Sequence, residues 1–388
     1  MRPEQTTVIL FCLFLVMFAI LFLVLPQSPF SAEEKRALQT KPRVEFRSLL
    51  SGRLGEEVND WYADQFPFRN WFVGLKGAVE IAAGKGENNG ILLGKAGQLA
   101  RVRFDMATAN GAIPDTDRVD ESHLLAAAEG VNRAAANARV PTVFLFTGRS
   151  VDVAASAFHY PSEPSRGMLE EWESALAPWV VAPDMAGVLR ERYEAGEAVV
   201  YRTDHHWTTL GAYYGYREAM RAFGMEREIL PPSAFAPVTV TNRFRGSFWA
   251  AGGMKWVAPD RLEIWARPDD GDYAVTADGK PTDGFYTFPD EGAEIGYELF
   301  LDGTHDVVTV SRRDGAARPR LVVFKDSFAN SLAPFLARHF DLVLLNLSSA
   351  RADFTDLTAR AMEYGADRAL VVYTLSNVLT TDTAARFR

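Results

Sequence analysis

Four short, largely apolar runs limit the folds open to this chain: Pro141 to Phe146, Leu321 to Phe324, Leu342 to Leu347 and Ala369 to Tyr373. A strand with one wet face alternates polar and apolar residues, whereas a strand covered on both faces reads as a continuous hydrophobic stretch. Helix-patterned segments separate the runs: Glu121 to Ala138, Leu169 to Trp179, Met185 to Ala195, Thr209 to Phe223, Ala329 to His339 and Asp356 to Tyr364. This alternation predicts an α/β domain with a mainly parallel central sheet between helical layers. A further strand is expected at Ala198 to Tyr201 and a hairpin across Asn88 to Leu99, where turn glycines flank an apolar triplet. Residues from about 225 to 319 are rich in Gly, Pro and Asp, with short alternating runs at Arg261 to Trp265 and Val307 to Ser311. They read as an insertion of strands and loops beside the face that carries the chemistry.

Ahead of this domain lies Thr6 to Leu25, an uncharged run long enough to cross a hydrocarbon core of about 30 Å as a helix. Secretory apolar regions are shorter, and the best cleavage candidate, Ser31-Ala32, has bulky Phe30 at the third position back. A retained single-pass anchor is the better reading. Residues 1–5 then stay in the cytoplasm and the chain from about 26 onward lies outside. Residues 26–87 are expected to form a juxtamembrane stalk with packing helices, and 88–388 the α/β domain. In the first of these, Leu50, Leu54, Val58, Trp61 and Tyr62 recur at helical spacing. The aromatic stretch Asp64 to Phe72 reads as an anchor into a core rather than a sugar platform.

A formal charge of -9 without any Lys/Arg cluster argues against nucleic acid as a partner. The one cysteine, Cys12, sits in the apolar run, which removes disulfides and cysteine nucleophiles from the domain. No GxGxxG follows a strand and no Walker-type loop occurs, so no cofactor is indicated. Six histidines offer no HxxxH or HExxH spacing, and adjacent His205 and His206 should diverge in an extended segment, so no metal is expected.

The chemistry concentrates in Tyr201-Arg202-Thr203-Asp204-His205-His206-Trp207-Thr208 and in Lys325-Asp326-Ser327-Phe328-Ala329-Asn330-Ser331. In an extended backbone, side chains at i and i+2 share a face, so Asp204 can fix one ring nitrogen of His206 and leave the other to take a proton. His205 is expected to point the other way. Ser327 falls where an apolar strand meets a helix, the place where open α/β sheets gather ligands and where helix N-terminal N–H groups can steady an oxyanion. A Ser327, His206, Asp204 triad is one reading. The other is that Ser327 caps its helix and Asp204 or Thr208 caps the next. Asp302 and His305 offer a second acid and imidazole for the same serine.

These residues resemble the Asp-His-His-Trp (DHHW) family, related to the SGNH-hydrolase-like (AlgX/AlgJ-type) proteins of bacterial exopolysaccharide O-acetylation. The likeness extends to Phe30-Ser31, Glu34-Lys35-Arg36, Asp64 to Arg69 and Leu93-Gly94-Lys95. It implies an exported SGNH-like, flavodoxin-like three-layer domain with its nucleophile at Ser327, base at His206 and orienting acid at Asp204. Asp326 matches the acid that precedes the nucleophile in that superfamily. Gly303 and Asn330 are the candidates for the remaining oxyanion donors, with Lys325 and His305 as further substrate-binding candidates. The implied activity is O-acetyl transfer or acetyl-ester cleavage on a cell-surface polysaccharide, with a multi-spanning membrane O-acyltransferase as acyl donor if the chain is a transferase. The alternative is a catalytically inactive polysaccharide-binding or scaffolding subunit of an envelope assembly complex.

Overall fold

The continuous apolar runs form the centre of a seven-stranded sheet in the computed structural model, which describes residues 2–101, 121–158, 170–348 and 356–388. Numbering strands along the chain gives β1 (Ile91–Leu93), β2 (Leu99–Arg101), β3 (Thr142–Thr147), β4 (Ala236–Phe244), β5 (Asp260–Ala266), β6 (Tyr273–Ala277), β7 (Lys280–Pro281), β8 (Val307–Arg312), β9 (Arg320–Lys325), β10 (Asp341–Asn346) and β11 (Arg368–Thr374). The helices used below are α1 (Pro3–Val24), α2 (Arg53–Asp64), α3 (Arg69–Ala82), α4 (Glu121–Asn137), α5 (Met185–Glu194), α6 (Thr209–Ala222), α7 (Phe328–Leu336) and α8 (Leu357–Glu363). The chain divides into two compact units, Met1–Asn89 with Trp249–Trp256, and Gly90–Phe248 with Val257–Arg388.

In the larger unit the sheet order is β7-β6-β8-β10-β9-β11-β3. β10, β9, β11 and β3 are parallel neighbours, and β8, β6 and β7 extend the sheet antiparallel beyond β10. Alternate residues of the parallel strands supply two separate cores, as the period-2 geometry of a strand requires. Val143, Leu145, Leu321, Val323, Leu370 and Val372 pack with residues of α5, α6 and α7. Phe144, Phe146, Val322, Phe324, Val371 and Tyr373 pack with residues of α4 and α8. This is the expected three-layer α/β domain with a parallel centre.

The segment read as an insertion divides. β6 to β8 join the central sheet, while β4 and β5 pair only with each other, through a register with two shifts. Ala198 to Tyr201 makes no strand: Val200 forms an isolated antiparallel bridge with Trp207, so the chain turns back on itself here. The helix expected from Leu169 begins outside the described residues, and 170–175 are helical. β1 and β2 form the expected hairpin, and its flank holds the turned segment: Leu99 N–H donates to the Arg202 carbonyl at 2.8 Å and the Gln98 amide to the Tyr201 carbonyl at 3.0 Å.

In the smaller unit, α1 is the one helix among the described residues that is long and apolar enough to cross a membrane. The aromatic stretch after Asp64 serves α1 rather than the α/β core. Phe66 stacks on Phe18 with centroids 5.3 Å apart, and Trp61 and Tyr62 each lie 5.0 Å from Phe22. Glu34, Arg36, Asp64 and Arg69, which carry part of the family likeness, form one ion-pair network.

Candidate active site

Two pieces of chain with different local order meet at the carboxyl ends of the parallel strands. One is regular. β9 ends at Lys325, α7 starts at Phe328, and Ser327 stands between them, half-buried, at the N-cap position. Its hydroxyl makes no capping bond. That duty falls to Asp326, whose Oδ1 accepts the Phe328 N–H at 3.0 Å while Oδ2 accepts the Thr374 N–H at 2.7 Å and the Asn377 amide at 2.9 Å. Asp326 thereby ties the serine turn to the end of the neighbouring strand β11. Burial pushes its carboxyl up from the ordinary value, against the pull of these donors.

The other piece is an irregular loop held by side chains. Asp260, at the start of β5, accepts the Thr203 N–H at 2.8 Å, the Thr203 hydroxyl at 2.6 Å and the Arg202 N–H at 3.2 Å. The Gly246 N–H donates to the Thr203 hydroxyl at 3.1 Å. A Cβ on Gly246 would fall inside the Asp204 side chain, so only glycine allows this approach. The next residue, Ser247, donates its N–H to Asp204 Oδ2 at 2.7 Å. Thr208 closes the loop by capping α6, its hydroxyl accepting from the Gly211 N–H at 3.2 Å.

Asp204, His206 and Ser327 come together in one line. Asp204 Oδ1 lies 2.5 Å from His206 Nδ1 and also accepts the His206 N–H at 3.0 Å; His206 Nε2 lies 2.7 Å from Ser327 Oγ. A carboxylate partner makes Nδ1 the donor, which leaves the Nε2 lone pair facing the serine hydroxyl. Asp204 and His206 are both buried. Burial alone would raise the Asp204 carboxyl, but His205, His206 and the Ser247 N–H together hold it well below the usual carboxylate range. It therefore stays ionised, the form able to stabilise a neighbouring imidazolium. The Tyr297 ring lies over the His206 imidazole at 3.7 Å and 10° between planes, and its hydroxyl bonds Ser331 Oγ at 2.7 Å. Trp207 Nε1–H donates to the same Ser331 Oγ at 3.0 Å and to the Phe328 carbonyl at 3.1 Å, joining the loop to α7.

Several expectations change. His205 does not point away, because the segment is a turn rather than a strand: its ring lies 3.8 Å from that of His206 and its Nδ1 bonds Ser247 Oγ at 2.7 Å. Ligand atoms of Asp204, His205 and His206 consequently fall within 4.8 Å of one another, although the hydrogen bonds above already engage them. The Asn330 amide donates to the Gly303 carbonyl at 2.8 Å and its Oδ1 accepts from Lys325 Nζ at 2.7 Å, so these three form an internal brace. Burial pushes the Lys325 amine down to about 8. His305 is held by Asp278 at 3.1 Å and by the Asp302 carbonyl at 3.0 Å, while the serine hydroxyl bonds His206. Sequence reasoning did not find Gly246, Ser247, Asp260, Tyr297, Thr374 or Asn377. Only Gly246-Ser247 carried a signal, a small-residue pair inside an irregular region.

Residues 119–264 match the family described as the SGNH hydrolase-like domain of the acetyltransferase AlgX; the match includes Asp204 and His206 and ends before Ser327. A DHHW family protein from Eubacterium siraeum has a similar structure, with a TM-score of 0.55 at 19% identity over 76% of this chain and 97% of that one. PatB1 of Bacillus cereus, in a structure with a sulfonyl adduct, superposes with a TM-score of 0.58 at 18% identity over 77% of this chain and 100% of that one. No curated protein matches. The fold is thus that of the SGNH-like family, as the motif resemblance implied.

Proposed function

We propose that this chain is a membrane-anchored, outward-facing acyl-transfer enzyme, an O-acetyltransferase or acetylesterase of a cell-surface polysaccharide, with Ser327 as nucleophile, His206 as general base and Asp204 as orienting acid. The observation that carries the reading is the continuous relay from Asp204 through His206 to Ser327, at 2.5 and 2.7 Å. His206 Nε2 takes the hydroxyl proton as Ser327 Oγ attacks an acetyl carbonyl, and Asp204 stabilises the imidazolium. The oxyanion forms beside the N-terminus of α7, where among the described residues the Ser327 N–H donates no other hydrogen bond. The imidazolium then protonates the leaving alcohol and an acetyl-Ser327 intermediate remains. A sugar hydroxyl or water attacks it with His206 again as base. The acetylated-polysaccharide substrate class and the multi-spanning acyl donor come from the family likeness.

The test is incubation with a chromogenic acetyl ester, with and without an oligosaccharide acceptor, followed by mass spectrometry for an acetyl adduct on Ser327. Ser327→Ala should lower turnover by about 10⁴-fold or more while the circular dichroism spectrum is unchanged. Full turnover by that variant would overturn the Ser327 assignment, and no turnover or adduct in the parent protein would favour the inactive scaffolding subunit. Transfer to the oligosaccharide in excess of hydrolysis marks a transferase, and hydrolysis alone an esterase.

A further inference from the structure

The acyl chemistry leaves one surface of the smaller unit unexplained. α3 carries Trp71, Leu75 and Val79 four residues apart, with Phe68 at its N-cap. Such a stripe ordinarily buries a helix against a core, yet Trp71 is 63% exposed and Val79 59%. Val58 and Tyr62 repeat the pattern on α2, and Phe46, Leu49 and Leu50 are exposed just before it. Single exposed apolar residues are ordinary; a set recurring along neighbouring helices marks an interaction surface.

α1 indicates what covers it. Its two buried residues, Phe18 and Phe22, are covered by aromatic rings of α2, α3 and the turn between them: Phe66 and Phe72 on Phe18, Trp61 and Tyr62 on Phe22. Phe18 lies about 9 Å before Val24, the last residue of α1, at about 1.5 Å per residue. Any bilayer that surrounds α1 to its end therefore also meets the side chains stacked on Phe18. The parts of α2 and α3 turned away from α1 then face lipid or its headgroups.

We infer that α2 and α3 form an interfacial helical hairpin whose Phe68, Trp71, Leu75 and Val79 stripe is immersed in the outer leaflet around the end of α1, so that the partner of this surface is the lipid itself. The inference rests on the proposed reading of α1 as a membrane span. Indole rings favour the headgroup level, which suits Trp71 and Trp61. An apolar helix face lying in the interface adds binding strength in proportion to the area it buries. The anchor is thus three helices held by stacked rings instead of one helix on a loose stalk.

Cys12 is the only cysteine, which makes the test direct. The full chain is reconstituted alone in phosphatidylcholine/phosphatidylglycerol vesicles, labelled with an environment-sensitive fluorophore either at native Cys12 or, in a Cys12→Ser background, at Trp71→Cys, Leu75→Cys or Val79→Cys. Each labelled protein is checked for an unchanged circular dichroism spectrum. Labels at 71, 75 and 79 should lose most of their emission to lipids bearing a shallow nitroxide and should be shielded from aqueous iodide. Quenching of the Cys12 label by lipid, with the other three quenched only by iodide, would overturn the inference and leave the anchor standing; the surface would then await a protein. If the Cys12 label also fails to sense lipid, the anchor reading and the inference fall together.

Discussion

The serine limb and the histidine limb of the site are built by opposite means. Ser327 sits at a regular strand-to-helix junction, where β9 is clamped by parallel neighbours on both sides and α7 is wholly buried. Asp204 and His206 sit in a loop without regular structure, whose shape is set by Asp260, Gly246 and Ser247. The first limb inherits its position from the sheet. The second depends on a few hydrogen bonds and one missing side chain, so single substitutions should disturb it far more selectively. The comparison teaches that the positioning cost of such a hydrogen-bonded relay can be concentrated in the limb that lacks secondary structure.

The largest expected effect is at the relay itself: His206→Ala should reduce acetyl-ester turnover by about 10⁴-fold, measured by steady-state hydrolysis, with an unchanged circular dichroism spectrum. Gly246→Ala comes next. The added methyl displaces Asp204, and a misplacement of about 1 Å can cost about 10²-fold in kcat. The corresponding disturbance on the serine limb, Ala329→Gly, should leave kcat within a few-fold. Equal losses in the two would break the contrast between the limbs.

Asp260→Asn and Asp326→Asn sharpen it further. An amide at Asp260 sets an NH2 group against the donors of Thr203 or Arg202, with a cost of about 1–3 kcal/mol for a buried donor left unpaired. Its effect should appear mainly in kcat. Asp326→Asn meets the Phe328, Thr374 and Asn377 donors and should appear mainly in the urea midpoint, because it loosens two strands of the core sheet.

A pH effect separates the core beneath α7 from both limbs. Burial holds the His339 imidazole down at about 4, and its Nε2 bonds the Tyr216 hydroxyl at 2.8 Å. The unfolded chain, with an ordinary histidine near 6.5, takes up the proton first as pH falls. Stability from this group is therefore complete above about 6.5 and is lost progressively down to about 4. Urea midpoints between pH 4 and 7 should fall less steeply in His339→Gln than in the parent. The smallest effect is expected for Tyr297→Phe, which keeps the ring over His206 and loses the hydroxyl that bonds Ser331: about 1 kcal/mol in stability and a few-fold in kcat.

Much of the fold was legible because its signal is local and repetitive. Continuous apolar runs such as Leu321 to Phe324 are too short for buried helices and read as strands covered on both faces, and the helices between them follow the period of 3.6. The insertion was less legible, since nothing in Val307 to Ser311 distinguishes a strand that joins the central sheet from one that pairs elsewhere. At the site, the residue types at 204, 206 and 327 carried their own chemistry, but the i to i+2 pairing of Asp204 with His206 was expected from an extended strand. The structure reaches the same pairing through a turn, and for that reason His205 lies beside His206 instead of opposite it.

The sequence by itself determined the layered α/β architecture, the apolar N-terminal helix and the chemical identity of the three relay groups, because each follows from the periodicity or composition of a short window. Tertiary structure alone decided that the hydroxyl of Ser327 meets the imidazole of His206, that Gly246 and Asp260 hold the loop, and that Asn330 braces Gly303. Those contacts join residues far apart in the chain, and their energies depend on distances that no local pattern encodes.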